Sequence, residues 1–420
     1  MNTALNYYSN EYDIVSNSKY DFKGECYNSL YPNLHKYPAT MLPQIGLELL
    51  KEFKAKKTNL LDPYCGSGSS FTSGLEYGIK KFVGFDLNPL AILISKAKLS
   101  YIESEVLNIE KDKLKNKIIN KTFNKNYEIL KSKIFDNIKN IDFWIEKKAQ
   151  EDLIYIYGLI ENIKNNTNIK NIFLLAFSET LREASYTRNN EFKLFRMKNY
   201  QNYKPNAFSI FFQKLDSIVE NYLNVYQPKL KNISFNLYNS SFIPKNTMFD
   251  NILTSPPYGD SKTTVAYGQF STFINEWLGF KNARKLDSIL MGGKKVNNIY
   301  IKGLMKKYIL EIEKIDKKRA LEVSSFYFDM EESIKYLLNS INSNGLCFFI
   351  IGNRRVKNIE LPTDKFIAQL FKNNDFQHIT TIERKISNKA MPIRNSPTNK
   401  IGILSNTINK EYIIVCRKNY

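Results

Sequence analysis

Residues 57 to 100 constrain this chain more than any other stretch. An apolar strand, Asn59 to Leu61, runs into a turn from Asp62 to Gly68, and a helix follows. A second strand, Lys81 to Phe85, ends at Asp86, and helical sequence resumes near Pro89. Strand, glycine turn, helix, strand and acid open a parallel nucleoside-binding sheet. Gly66 and Gly68 let the backbone turn tightly and approach a ligand where a Cβ would clash. The following helix N-terminus can face a carboxylate. Asp86, eighteen residues beyond Gly68, can accept both hydroxyls of a ribose.

Spacing then narrows the ligand. A dinucleotide fingerprint needs a third glycine at position 71, which is Phe71, and no Gly-Lys-Ser/Thr triplet of an ATP-type loop follows these glycines. A cofactor with a ribose and a carboxylate but no pyrophosphate remains, as in S-adenosyl-L-methionine.

The second constellation is Thr254-Ser255-Pro256-Pro257-Tyr258, directly after the apolar residues Asn251-Ile252-Leu253. Two prolines fix consecutive φ angles and remove two N–H donors, so the carbonyls before and between them stay free for an outside donor. Tyr258 offers a flat face on which an extruded base can stack. Such a strand end suits an exocyclic amine, which must donate its hydrogens while its lone pair faces a methyl group. A plain proline-rich turn is the simpler reading of Pro-Pro alone; the upstream Asp62-Pro63-Tyr64-Cys65-Gly66-Ser67-Gly68 favours chemistry.

These motifs carry a resemblance. DPYCGSGS resembles the cofactor motif of S-adenosylmethionine-dependent DNA amino-methyltransferases, usually written D-P-F-x-G-S-G-T, and TSPPY resembles their catalytic motif in its cytosine-N4 form. His35-Lys36-Tyr37-Pro38-Ala39 is similar to the H-x-Y-P-A segment that precedes the cofactor motif in many members, and GFDLNP at 84 to 89 matches the acidic motif. The resemblance implies an α/β fold: a Rossmann-like methyltransferase sheet, with a large helical insertion in this chain. It implies a cofactor site of Tyr37, Pro38, Asp62, Tyr64, Cys65, Gly66, Ser67, Gly68 and Asp86, and a catalytic strand end of Ser255, Pro256, Pro257 and Tyr258. The activity implied is methylation of cytosine N4 in double-stranded DNA, in the setting of a restriction-modification system with a cognate restriction endonuclease as functional partner. No covalent intermediate is needed, so Cys65 is a small pocket residue and not a nucleophile.

The chain departs from the family pattern twice. A long insertion separates the acidic and catalytic motifs, and Tyr238-Asn239-Ser240-Ser241 stands where an acidic residue is usual, so a contact made by Asp elsewhere is in question at Asn239. Three other activities stay open. Adenine-N6 methylation shares fold and cofactor and is opposed only by Ser255. A methyltransferase acting on structured RNA or on a protein glutamine would also use a Pro-Pro-Tyr strand end. A silent nucleic-acid-binding subunit would have no need of the intact motifs.

Organisation and charge complete the reading. Residues 1–100 form the N-terminal segment and cofactor half, 101–230 a helical insertion with apolar residues at helical spacing (Leu153, Ile154, Tyr157, Ile160), and 231–420 the catalytic half. Strands are expected at Ile233 to Leu237, Phe249 to Leu253, Leu346 to Ile351 and Tyr412 to Cys416, with a helix from Phe326 towards Ile341. The segment 259–325 is read as a possible recognition loop, and Gly259 to Phe270 as a loop able to close over a flipped base. Lys and Arg number 61 against 41 Asp and Glu, a formal net charge of +20 that suits a polyanionic partner. Arg182, Arg188, Lys193 and Arg196 lie in a basic, aromatic-rich stretch suited to DNA contact, against the plainer reading of a solvated helix face. Asn353-Arg354-Arg355 is either a phosphate contact or a solvated strand edge. The cysteines, Cys26, Cys65, Cys347 and Cys416, show no paired spacing, and His35 and His378 belong to no ligand cluster, so no metal site is expected. With no apolar leader and no run near the ~18 residues a membrane helix requires, the expected location is cytoplasmic.

Overall fold

The computed structural model describes residues 14–25, 30–121, 127–188, 191–241, 247–386, 394–395, 405–406 and 408–420; Cys26 lies outside them. Its centre is an eight-stranded sheet. Strands β1 (Ile14–Ser16), β2 (Asn59–Asp62), β3 (Lys81–Phe85), β4 (Ser234–Tyr238), β5 (Phe249–Thr254) and β6 (Ile341–Ile351) belong to it. The short β7 (Arg355–Val356) and β8 (Ile359–Glu360) pair apart, β9 (Phe376–Lys385) rejoins the sheet, β10 (Arg394–Asn395) and β11 (Ser405–Asn406) pair apart, and β12 (Lys410–Lys418) completes it. The order is β1-β9-β12-β6-β5-β2-β3-β4. From β6 to β4 neighbouring strands are parallel, while β12 runs antiparallel between β6 and β9.

Alternation along the strands builds two cores. Leu60, Leu253, Phe348, Ile350, Ile413 and Val415 face one apolar layer. Their neighbours Leu61, Ile252, Cys347, Phe349, Ile414 and Cys416 face the other. Burial on both faces explains why the central strands read as continuous apolar runs. Helices α1 (Pro43–Glu52), α2 (Ser69–Tyr77) and α3 (Pro89–Leu99) precede the insertion, which consists of α4 (Ser104–Ile119), α5 (Tyr127–Asn137), α6 (Ile141–Trp144), α7 (Lys147–Glu161), α8 (Thr167–Glu183) and α9 (Ala207–Asn221). This helical block is one enlarged crossover between the adjacent parallel strands β3 and β4. It packs α8 on α3, and its Phe173, Phe177 and Phe211 join the same apolar cluster as Leu60 and Phe348.

The segment 259–325 is not a loop. It carries α10 (Tyr267–Trp277), α11 (Leu286–Ile289), α12 (Met305–Ile315) and the start of α13 (Lys317–Leu338); α14 (Thr363–Lys372) follows later. Within Gly259 to Phe270, residues 259–266 do form a loop, and Tyr267 to Phe270 open α10. Its buried Phe270, Phe273, Ile274 and Trp277 recur at helical spacing and drive it onto α3 and α8. Among the described residues no helix is long and apolar enough to cross a membrane, and no group of three His, Cys, Asp or Glu could hold a metal ion.

Candidate active site

Strand order reverses between β2, which leads outward to β3 and β4, and β5, which leads to β6. Ligands of open α/β sheets bind at such a point, beyond the carboxyl ends of the strands. A cavity of about 270 Å³ lies there, lined by residues of the DPYCGSG turn, by Asp86, and by Ser255 and Pro257.

Hydrogen bonds at the strand ends fix its walls. Asp62 ends β2 and accepts from Tyr64 N (3.0 Å), Thr254 Oγ1 (2.6 Å) and Ser70 Oγ. The bond to Thr254 ties the glycine turn to the end of β5 and so brings Ser255 beside it. Asp86 accepts from Gly66 N at 3.0 Å and from Asn88 N at 2.8 Å, and Cys65 N donates to Phe85 O at 2.9 Å. Each Asp86 oxygen thus spends one lone pair on the backbone. Gly66 and Gly68 sit at φ of 49° and 77°. A Cβ on Gly68 would stand 2.9 Å from Ser95 Oγ. Lys98, buried behind the turn, donates to Ser67 O at 2.7 Å, and burial pulls its ammonium down to about 7.

The cavity is acidic. Burial pushes Asp62 to about 6 against the pull of its hydroxyl and backbone donors, and pushes Asp86 to about 6 against its two backbone donors. Asp329 and Glu332 add carboxylates to the wall, and Lys294 adds a cation. Burial first, then Asp86, pushes the Cys65 thiol well up, which keeps it from acting as a thiolate. Among the described residues, Ser67 Oγ is buried with no hydrogen-bond partner.

Tyr37, Asp62, Tyr64, Cys65, Gly66, Ser67, Asp86, Ser255 and Pro257 share this cavity wall, whereas Pro38, Gly68, Pro256 and Tyr258 stand outside it. The Tyr37 ring stacks on Tyr267 with centroids 5.8 Å apart, and its hydroxyl accepts from Asn88 Nδ2 at 3.0 Å. Tyr258 donates to Glu411 Oε1 at 2.8 Å. Its ring lies so close to Gly352 that a Cβ there would stand 2.7 Å from Tyr258 Cδ2. Asn239, in place of the usual acid, donates from Nδ2 to the Asp86 backbone carbonyl at 2.9 Å, while the adjacent Ser240 and Ser241 line the cavity.

The basic stretch lies apart from the cavity wall. Arg182 donates to the Phe270 carbonyl at 3.2 Å and to the Glu191 carbonyl, over the Phe270 ring. Arg196 stands over the rings of Phe143, Tyr186 and Tyr200. Arg188 is exposed and pairs with Glu191 at 2.9 Å, and Lys193 is exposed. Arg354 is neither a phosphate contact on the surface nor a solvated edge. Only 6 % exposed, it binds Asp260 at 2.9 Å just after the SPPY segment. His35, which opens the HxYPA segment, is buried against α8, with Nε2 2.9 Å from Ser178 Oγ.

Sequence reading missed Tyr267, Asn88 and the polar face of α13. Asp329, Glu332, Ser333 and Tyr336 all line the cavity, and their i, i+3, i+4, i+7 spacing was a legible signal for one helix face. Tyr64 OH and Ser333 Oγ are hydrogen-bonded, which fixes that face against the turn.

Sheet order, antiparallel β12 and a ligand cavity at the strand reversal define a Rossmann-like methyltransferase fold. The type II methyltransferase M.MvaI of Kocuria varians is 38% identical to this chain, over 92% of this chain and 90% of its own length. The type II methyltransferase M.MjaII of Methanocaldococcus jannaschii is 26% identical over 199 residues, 46% of this chain and 35% of that protein. No family model matches, and no solved structure matches significantly. The chain belongs to the type II methyltransferases, DNA methyltransferases of restriction-modification systems.

Proposed function

We propose that this chain transfers a methyl group from S-adenosylmethionine to the N4 amine of a cytosine turned out of double-stranded DNA. The observation that carries the proposal is the presence of Asp86 and Ser255 on the walls of one cavity. The residues there suit the cofactor. Asp86 keeps lone pairs for ribose hydroxyls beyond its two backbone donors. Ser67 offers a buried hydroxyl with no partner of its own, at a helix N-terminus able to receive a carboxylate. Acidic walls suit the cationic sulfonium, which supplies an electrophilic methyl group when bound.

Ser255 Oγ and the Pro256 carbonyl accept the two hydrogens of the target amine and help localise its lone pair, and proximity supplies much of the rate. Tyr258, held by its hydroxyl, stacks on the extruded base. Serine at 255, where Asp or Asn is more usual for adenine, is the ground for choosing cytosine. Exposed Arg188 and Lys193 contact DNA phosphates from the helical insertion, on a segment that Arg182 and Arg196 hold in shape. A cognate restriction endonuclease is its functional partner, and the cytoplasm its setting.

The test is to express the chain in a host without other DNA methylation and sequence plasmid for modified bases. N4-methylcytosine in a defined sequence is expected. N6-methyladenine would overturn the base assignment alone, and unmodified DNA with no cofactor binding would indicate a silent subunit.

A further inference from the structure

Beyond the SPPY segment, a half-buried relay of donors and acceptors runs from Ser255 to the far strands of the sheet. Tyr258 OH donates to Glu411 Oε1 at 2.8 Å, and Arg384 Nη1 donates to Glu411 Oε2. Glu411 and Arg384 face each other across the β12–β9 pair, and Arg384 Nε is itself fixed by the Tyr20 carbonyl at 2.7 Å. Ser255 Oγ lies 3.4 Å from Tyr258 OH. A phenol has one hydrogen and a carboxylate bonded at both oxygens is an acceptor. With that hydrogen committed to Glu411, the Tyr258 oxygen can only accept from Ser255. The Ser255 hydrogen then points at Tyr258, and its lone pairs are left for a donor in the cavity.

We infer that Glu411 is a positioning residue for methyl transfer: it sets the direction of the hydroxyl chain, so that Ser255 presents an acceptor to the target amine and disfavours a base with a carbonyl at that position. This rests on the reading of Ser255 given above. Gly352 belongs to the same device, because a side chain there would push the Tyr258 ring out of line.

Glu411→Gln is the informative change. Its single carbonyl stays with Arg384 and its amide then donates to Tyr258, which turns the phenol towards Ser255 and makes Ser255 a donor to the cavity. Single-turnover methylation should fall by about tenfold or more, since a donor would meet a donor. Tyr258→Phe, which leaves the Glu411–Arg384 pair intact, should cost less, because Ser255 is only freed to rotate. A binding readout accompanies the rate. Duplexes with cytosine or uracil opposite an abasic site, in the methylated sequence context, should be distinguished by wild-type protein in favour of cytosine, and Glu411→Gln should lose that preference. In a Ser255→Ala background, Glu411→Gln should add no further loss. Wild-type rate and base preference in Glu411→Gln would overturn the inference, as would a penalty that persists without Ser255. If Glu411→Gln does not fold, wild-type rate and preference in Tyr258→Phe overturn it instead. Should Ser255→Ala alone leave transfer unchanged, the reading of Ser255 itself fails.

Discussion

Asp260 and Arg354 form the most deeply buried ion pair near the catalytic strand end, 2 % and 6 % exposed. Asp260 accepts from Arg354 Nη1 at 2.9 Å, Thr263 Oγ1 at 2.7 Å and Thr263 N at 3.1 Å, with Arg319 Nη2 at 3.5 Å. Breaking a buried pair by removing one partner costs about 3 to 5 kcal/mol, because the remaining charge is uncompensated. The two halves are not equivalent. Arg354→Met leaves Asp260 with Arg319 and Thr263, so about 3 kcal/mol is expected. Asp260→Asn leaves Arg354, buried, with no carboxylate partner, whereas Arg319 keeps Glu322, so about 5 kcal/mol is expected. Urea unfolding monitored at constant slope reads both values. Losses below ~1 kcal/mol, or a larger loss for Arg354→Met, would refute the reasoning. The pH dependence has a definite sign. Burial pushes the Asp260 carboxyl up, but Arg354, Thr263 and Arg319 together hold it below the usual carboxylate range. Its contribution is therefore complete above the unfolded value of about 3.9 and is lost as pH falls through the lower folded value. The gap between wild type and Asp260→Asn should close over that acidic window.

Asp86→Asn should weaken S-adenosylmethionine by roughly tenfold to a hundredfold through lost charge-assisted bonds, and unchanged calorimetric affinity would remove this residue from the cofactor site. Because burial raises Asp86 to about 6, a cationic ligand should bind more tightly as pH rises through that value and release protons on binding; calorimetry in buffers of different ionisation enthalpy measures this. Gly68→Ala should lower stability by about 1 to 2 kcal/mol, since φ is 77° and the new Cβ would crowd Ser95 Oγ; a thermal midpoint equal to wild type would contradict it. DNA affinity should fall steeply with salt, and Arg188→Ala and Lys193→Ala should each lower the log–log slope by about 1. Arg182→Ala should instead loosen the 182–196 segment, seen as faster amide exchange there with the slope unchanged.

The half of the sheet around the glycine turn was legible from local pattern alone. Strand, glycine turn, helix and acid are contiguous between Asn59 and Leu99, and each is signalled locally by a short apolar run, by the glycines of the turn and by a strand-terminal carboxylate. The helical nature of 101–230 was legible for the same reason, as was the strand before TSPPY. Misreading 259–325 as a loop had a physical cause: the apolar residues of α12 recur at helical spacing among lysines, and those of α10 among small polar residues and a glycine, so composition concealed periodicity. Contacts between residues remote in the chain came only with the fold. The last strand's antiparallel place between β6 and β9 depends on pairing partners remote in the chain. Asp62 meets Thr254 across 192 residues. Tyr258 finds Glu411 across 153. Arg354 looked like a phosphate contact or a solvated edge until the fold buried it against Asp260, because a charged side chain's role is set by which partner burial brings to it.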